Sequence, residues 1–533
     1  MTARDDGAMP PRAGSTRRRR AVAALLALPA LVLLAGGCGG GAGSGGRLSL
    51  ALPDTVVLDP RAPQDEWATP FLALLHEGLV RFDSTGEVRA AGARSWTVSR
   101  TGLTYTFHLR PDWRFEDGSR VTSSDCARTL DSLFRMNPPS PARTRFWSLA
   151  GAPAARAKAR GPLGLETPDS STLVIRLWTA DRSLLDKLAQ PRFAVPTAAP
   201  EREAALGHPL STGPYRLASK PAAAAILVRN PSYRGEAAAL PDTITVRFGV
   251  PARRAVLGLA SGRVDVLWPA PLGYRERLER EERLAPIEGV LGAAPVWVLV
   301  LDAETPPTSR RAARYAVARA LNRQRVAEAV SPLAITWRSF APVGPPQATA
   351  PGFDPLAAEA ALQSDRRRGG IPLAIDVPMG SPELAASRAF LADFGRASIY
   401  GEIRPRARAG FRRSISTRRG SRAALLVWRP PTRDAIDGMA EWLLNRWMDD
   451  RWGGSLGNLR SPGLDSLLFR ALREPTTEGR QAVRAEIEAQ LADEIPYVPV
   501  ARVRDLAYAR RGVTGLSFHR FYGLELGRAR VSR

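Results

Sequence analysis

Gly102-Leu-Thr-Tyr-Thr-Phe-His-Leu-Arg110 alternates polar and apolar side chains, the period-2 pattern of a strand with one face buried. Asp117-Gly118 follows as a turn signal. Thr122-Ser-Ser-Asp125 then has the form of a capping box, and Ala127, Leu130 and Phe134 recur at helical spacing behind it. Similar units recur outward from this stretch. Strands are expected at Leu173 to Leu177, Ile244 to Phe248, Trp297 to Leu301 and Leu425 to Trp428. Helices are expected at Arg311 to Val330, with Ala313, Val317, Ala320 and Leu321 on one face, and at Glu478 to Leu491, ending near Pro496. Strands and helices alternate from end to end, so the fold class is α/β. There is no internal repeat and no second long apolar span.

Six arginines, four of them consecutive at Arg17 to Arg20, precede the apolar run Ala21 to Ala35 and then Gly36-Gly37-Cys38. A basic start, a short apolar run and small residues before a cleavage point describe an export signal. The run is short of the roughly 20 residues that span a bilayer. Leu34-Ala35-Gly36-Gly37-Cys38 resembles the bacterial lipobox, whose cysteine becomes the lipidated first residue of the mature protein. The expectation is a signal peptide over 1–37 and a lipidated, flexible tether over 38–47, where glycine dominates. A signal-anchor helix is the other reading of the leader. Either way the chain is expected on the extracytoplasmic face of the cell membrane.

Without the 37 leader residues the 533-residue chain keeps 496, enough for two or three lobes. Its formal charge of +24 falls to +20 when the leader's six Arg and two Asp are removed. Nearly all the basic residues are arginine; the lysines are Lys158, Lys187 and Lys220. The arginines are scattered, apart from a cluster at Arg404 to Arg422, and no nucleic-acid motif accompanies them. Attraction to anionic wall polymer or lipid headgroups is the expectation, not nucleic-acid binding. With Cys38 lipidated, Cys126 is alone on a helical face and reads as a buried thiol. The four histidines show no metal-ligand spacing, and no phosphate-binding loop is present. Gly453-Gly-Ser-Leu-Gly457 matches the nucleophile-elbow pattern and would make an exported serine hydrolase through Ser455. It lacks the flanking strand and helix that the elbow needs and reads as a chance match. No catalysis, metal or cofactor is expected.

Ordered motifs decide among the α/β folds. They begin with Leu58-Asp59-Pro60, Leu75-His-Glu-Gly-Leu79 and Phe82-Asp83. Next come Ser95-Trp-Thr-Val-Ser99 with the 102–110 strand, and Phe115-Glu-Asp-Gly118 with Val121-Thr122 and Asp125. Ser211-Thr-Gly-Pro-Tyr215, Asn230-Pro-Ser-Tyr233, Ser261-Gly-Arg-Val-Asp265 and Arg314 with Ala320-Leu-Asn-Arg323 follow. Asn458, Ser461-Pro462, Asp465 and Pro496-Tyr-Val-Pro499 complete the series. Together they resemble the family 5 extracellular solute-binding proteins, receptors of peptide and nickel ABC importers. The resemblance implies a periplasmic-binding-protein-like two-lobed fold of class II with an extra domain and a hinge between the lobes. The first lobe is placed at 48–290 with the extra domain at about 85–165, the second lobe at 291–500, and a return to the first at 501–533. It also implies a small-molecule or short-peptide ligand captured in the cleft, a permease with its ATPase as partners, and a monomer. A surface receptor or sensor with the same fold and no transport role is the alternative.

The same resemblance points to ligand contacts in three places. Trp67, after Asp65-Glu66, is either an aromatic wall or a packing residue. Trp337 and Phe340 lie where the second lobe's central loop approaches the cleft, or in its core. The stretch Trp428-Arg429-Pro-Pro-Thr-Arg-Asp434-Ala-Ile-Asp437 lies where relatives carry an aspartate that pairs with a peptide's α-amino group. Asp434 and Asp437 are the candidates for that contact, since a desolvated ammonium needs a carboxylate. The other reading makes them partners of Arg429 and Arg433. Those two arginines also make an anionic or carboxylate-bearing ligand plausible.

Overall fold

The computed structural model describes residues 46–61, 67–135, 141–152, 162–195, 206–221, 223–290, 294–364, 370–379, 381–407, 410–411, 423–430, 432–443 and 458–532. The export signal, Cys38, Asp65, Glu66, Ser455 and most of the Arg404–Arg422 cluster lie outside the described residues.

The first lobe is built on a seven-stranded sheet in the order Leu284–Glu288, Leu506–Arg510, Val266–Leu267, Arg47–Ala51, Thr243–Arg247, Ala224–Arg229, Tyr215–Ser219. Arg47–Ala51 runs parallel to both of its neighbours. Its Leu48 and Leu50 are fully buried with Ile244, Val246 and Trp268. The second lobe is built on a six-stranded sheet in the order Ala334–Thr336, Tyr497–Val503, Val296–Leu301, Ala423–Trp428, Ile371–Pro378, Ile399–Arg406. Val296–Leu301 is apolar at every position because both of its faces are covered. Val296, Val298 and Val300 meet Tyr497 and residues of the helices Pro462–Arg473 and Thr477–Glu494. Trp297, Leu299 and Leu301 meet Ala313 and Val317 of Arg311–Ala320 and Phe390 of Pro382–Arg396.

A third, four-stranded sheet in the order Ala93–Val98, Thr104–Leu109, Thr172–Arg176, Leu165–Asp169 contains the alternating stretch. Tyr105, Phe107 and Leu109 point into a core shared with Trp113, Phe115 and Phe134, while Thr104, Thr106 and His108 are half-buried. Each large apolar side chain so buried contributes about 2–3 kcal/mol. The capping box forms as read. Asp125 Oδ2 accepts the Thr122 N–H at 2.8 Å, and Thr122 Oγ1 accepts the Asp125 N–H at 3.3 Å, at the head of the helix Ser123–Arg135. Cys126 is buried on that helix, and burial raises its thiol pKa.

The chain passes between the two large sheets twice. Leu284–Glu288 belongs to the first and Val296–Leu301 to the second; Tyr497–Val503 returns from the second to Leu506–Arg510 in the first. The two crossings touch, for the Gly289 N–H donates to the Asp505 carbonyl at 2.8 Å.

One expectation needs correcting. Arg311 to Val330 is two helices, Arg311–Ala320 and Arg323–Val330. Leu321 is extended, and the Asn322 side chain accepts the Arg325 N–H at 3.1 Å as a new N-cap. Apolar spacing continues through the break, so periodicity alone conceals it.

Gly213, in the Ser-Thr-Gly-Pro-Tyr motif, is fixed by a close approach. A Cβ there would lie 2.5 Å from the Leu74 carbonyl oxygen. Gly213→Ala is expected to lower stability by about 1–3 kcal/mol, read as a reduced urea midpoint. An unchanged midpoint would show that the Leu74 backbone yields freely.

Candidate functional site

The facing surfaces of the two lobes hold the chemistry. Lys187 lies on the short helix Leu184–Leu188, whose Leu184 and Leu188 pack into the core around the four-stranded sheet. Asp437 lies in the first turn of Ala435–Leu443, packed on the second lobe's sheet. The Lys187 Nζ is 2.9 Å from Asp437 Oδ1 and 2.9 Å from Asp181 Oδ2, and the lysine is 1% exposed. Three hydroxyls complete the cluster. The Ser183 hydroxyl lies between the two carboxylates, 2.8 Å from Asp181 Oδ1 and 2.9 Å from Asp437 Oδ1, with one proton to share. Thr432 donates to Asp437 Oδ2 at 3.1 Å, and Ser148 to Asp181 Oδ2 at 2.7 Å. Burial alone would lower the lysine's pKa, but the two carboxylates more than reverse this and hold it above its ordinary value. Burial would likewise raise Asp181, and Lys187 with the serine hydroxyls holds it below the usual range instead.

Further pairs flank this cluster. Arg433 of the second lobe reaches Asp186 at 3.4 Å and also pairs with Glu87. The Trp147 ring meets Phe469 edge-on at 5.7 Å and Trp178 at 5.8 Å. The Arg473 guanidinium lies 5.1 Å from the Trp178 ring centre.

The residues singled out from sequence fall into distinct places. Trp67 is 7% exposed in the first lobe's core beside Phe71 and Leu72. Trp337, Phe340 and Trp428 are brought together on one face of the second sheet. Phe340 is fully buried 5.5 Å from the Tyr497 ring, Trp428 stacks on Trp442 at 3.8 Å, and the Arg502 guanidinium sits 4.0 Å over the Trp337 ring. The indole N–H groups of Trp337 and Trp428 are buried with no hydrogen-bond partner among the described residues. Asp434 pairs with Arg480 and accepts the Ile436 N–H at 2.8 Å. Arg429 grips Asp505 in the crossing with two hydrogen bonds of 2.8 and 2.7 Å. Asp434 and Asp437 are thus matched to Arg480 and Lys187, not to the neighbouring Arg429 and Arg433. Sequence reading missed Lys187, Asp181, Ser183 and Thr432; its one available signal was a lysine kept in an arginine-rich chain.

The first lobe also holds two hollows. One, of about 140 Å³, is bordered by His76, Glu77, Gln190 and Tyr522. The other, of about 430 Å³, is bordered by Asp59, His76, His208 and Lys220. Among the described residues no group of three or more His, Cys, Asp or Glu is placed to hold a metal ion.

Two sheets joined by a double crossing, an added four-stranded domain, and complementary polar groups on the facing lobes define a two-lobed solute-binding protein. The comparisons name the branch. The family "Bacterial extracellular solute-binding proteins, family 5 Middle" matches residues 87–366, and the chain belongs to that family. It is 26% identical over 483 residues to a nickel-binding periplasmic protein of Escherichia coli (strain K12), covering 81% of this chain and 84% of that one. It is 27% identical over 347 residues to a putative ABC transporter peptide-binding protein of Brucella ovis, covering 61% and 62%. The solved structure of the binding protein AgaA from A. tumefaciens R10, in complex with agropinic acid, superposes with a TM-score of 0.80. That match has 18% identity and covers 92% of this chain and 99% of that one. The protein is a binding protein and not an enzyme, as its family is.

His76 and Glu77 make a pH test of the first lobe. Burial pushes His76 down to about 4, against the pull of Asp59. Burial pushes Glu77 up to about 7, against Arg110 and Tyr233. Between about pH 4 and 6.5 the unfolded chain holds a histidine proton that the folded one lacks, so stability rises with pH. Between about pH 4.5 and 7 the folded chain holds a glutamate proton that the unfolded one has lost, so stability falls. Each slope is up to about 1.4 kcal/mol per pH unit, so the two oppose each other. Against wild type over about pH 4.5 to 6.5, Glu77→Gln should make the slope of urea stability with pH more positive, and His76→Gln should make it more negative. Slopes displaced from wild type in the same direction in both variants would contradict this assignment.

Proposed function

We propose that this chain is the lipid-anchored, extracytoplasmic solute receptor of an ABC importer, capturing a peptide-like or related small solute between its lobes and delivering it to a membrane permease. The observation that carries the reading is the double crossing between two lobes whose facing surfaces carry matched charges. That is the architecture of a hinged clamp, in which binding energy stabilises the closed form. Family membership supports it, as do relatives named for peptide and nickel binding. The aromatic cluster of Trp337, Phe340 and Trp428 is the proposed wall of the solute pocket, and its buried indole N–H groups suit a solute carbonyl or carboxylate.

The anchor is read from Cys38. No helix among the described residues is long and apolar enough to cross a membrane; attachment through lipid on that cysteine is read from the lipobox-like stretch Leu34 to Cys38. Cys38→Ala is expected to move the protein from the membrane fraction to the soluble fraction of its host. Persistence in the membrane pellet would reassign the leader as a signal-anchor helix.

The solute is testable directly. Native mass spectrometry of protein purified gently from its host should show a discrete added mass that disappears after unfolding and refolding. Fragmentation of that mass would give its chemical class. No added mass, together with no thermal shift across peptides, sugars and organic acids, would turn the assignment toward a receptor without a transported solute.

A further inference from the structure

Lys187 joins the two lobes through a buried carboxylate of the second, Asp437. Asp437 Oδ1 already receives the Lys187 ammonium at 2.9 Å, and Oδ2 receives the Thr432 hydroxyl at 3.1 Å. The Ser183 hydroxyl lies against Oδ1 at 2.9 Å while also reaching Asp181 Oδ1 at 2.8 Å. A carboxylate offers about four lone-pair sites, so two of them are taken and a third is covered by a shared hydroxyl. Asp437 is 6% exposed, Thr432 is fully buried and Lys187 is 1% exposed. A second ammonium reaching Asp437 would therefore be forced against the first, in a region where water screens poorly. Asp434, the other acidic residue of the segment, is occupied by Arg480 and by the N–H groups of its own turn. Asp186 is occupied by Arg433.

We propose that Lys187 is a specificity-determining residue: its ammonium is an internal substitute for a solute ammonium at Asp437, so the cleft takes neutral or anionic solutes and sets the register of its lobes on the protein's own cation. The proposal rests on the solute-receptor reading above and narrows its ligand class. Lys187 has the reach for the role. Its helix belongs to the first lobe, its Nζ is equidistant from one carboxylate of each side, and the Trp147 ring centre lies 6.0 Å away.

The test uses the full chain and a cation cut to the missing atoms. Lys187→Ala removes three carbons and the ammonium nitrogen, the outline of n-propylammonium. Unfolding temperature is followed against n-propylammonium chloride, with sodium chloride at matched ionic strength as the reference. The Lys187→Ala protein is expected to gain at least 3 °C over the salt reference, wild type to gain nothing, and Lys187→Ala with Asp437→Asn to lose most of the gain. An equal response in wild type and Lys187→Ala overturns the proposal. Should Lys187→Ala not fold, Asp437→Asn keeps Lys187 paired with Asp181 and decides instead. Hydrogen exchange at 184–188 and 435–443 should then quicken at least tenfold, and wild-type rates there overturn the proposal. The alkylammonium response needs no natural solute, so a wild type that carries none and shifts with no peptide, sugar or organic acid counts against the receptor reading and leaves this test standing.

Discussion

A chain that passes between two sheets twice must bring both passages together at one place, and that requirement organises much of this molecule. Gly289 and Asp505 meet backbone to backbone there. A side chain on Gly289 would press on Asp505, with a Cβ only 3.0 Å from that residue's own Cβ. Arg429 reaches from the end of Ala423–Trp428 to hold Asp505 with two hydrogen bonds, and Arg504 pairs with Glu288 at 3.2 Å. The crossings are thus tied to the second lobe by a bidentate, partly buried ion pair, the stronger kind. The strands on either side are continuous with their sheets. A bend at the crossings would therefore move whole sheets and leave the strand pairing within each sheet intact.

The ordered motifs that mark the family are mostly joints of this frame. Glu77, Arg110 and Tyr233 come from three separate motifs and meet: Glu77 pairs with Arg110 at 2.8 Å and accepts the Tyr233 hydroxyl at 3.1 Å. Asp265 accepts the Ser49 N–H at 2.8 Å and pairs with Arg510, tying strands of the first sheet that are far apart in the chain. Asp302 accepts the Asn458 amide at 3.1 Å, which gives that acidic residue a structural partner. Arg323 donates to the Pro499 carbonyl at 2.7 Å and the Pro351 carbonyl at 3.0 Å, and its burial brings it down to about 9. Each case is a buried polar group whose partner is distant in sequence. Removing one side strands the other, which costs more than the bond itself contributes.

That separation explains what could be read in advance. Alternation is local, so the strand at 104–109 and the capping box before Ser123 were legible. Helical spacing is also local, but a single extended residue at Leu321 interrupts it without disturbing the apolar pattern, so the break was not. Trp337, Phe340 and Trp428 were picked from motif position, and the fold does gather them on one sheet face. Arg429 was picked for the same segment, and the fold sends it to a partner 76 residues away. Lys187 and Asp437 are 250 positions apart in the chain, and no local pattern links them. Pairing of charges across lobes is decided by how two sheets face each other, which a linear reading does not contain.

The cross-lobe contacts divide the work of closing between two kinds of force. Taking an ammonium and two carboxylates out of water costs several kcal/mol per ion, and their mutual attraction returns little beyond that. The Lys187 cluster is therefore a poor source of net closing energy, whatever the closeness of its contacts. Trp147 against Phe469 is a better one, since burying aromatic surface is favourable in any register. What the charges supply is register. A lysine displaced by a few ångströms leaves three buried charges unmatched, and the hydroxyls of Ser148, Ser183 and Thr432 are aimed at one arrangement only. Apolar contact then sets how firmly the lobes hold, and the ammonium sets where they stop. On the solute-receptor reading proposed above, a solute entering the cleft has to fit the gap that this stopping point leaves.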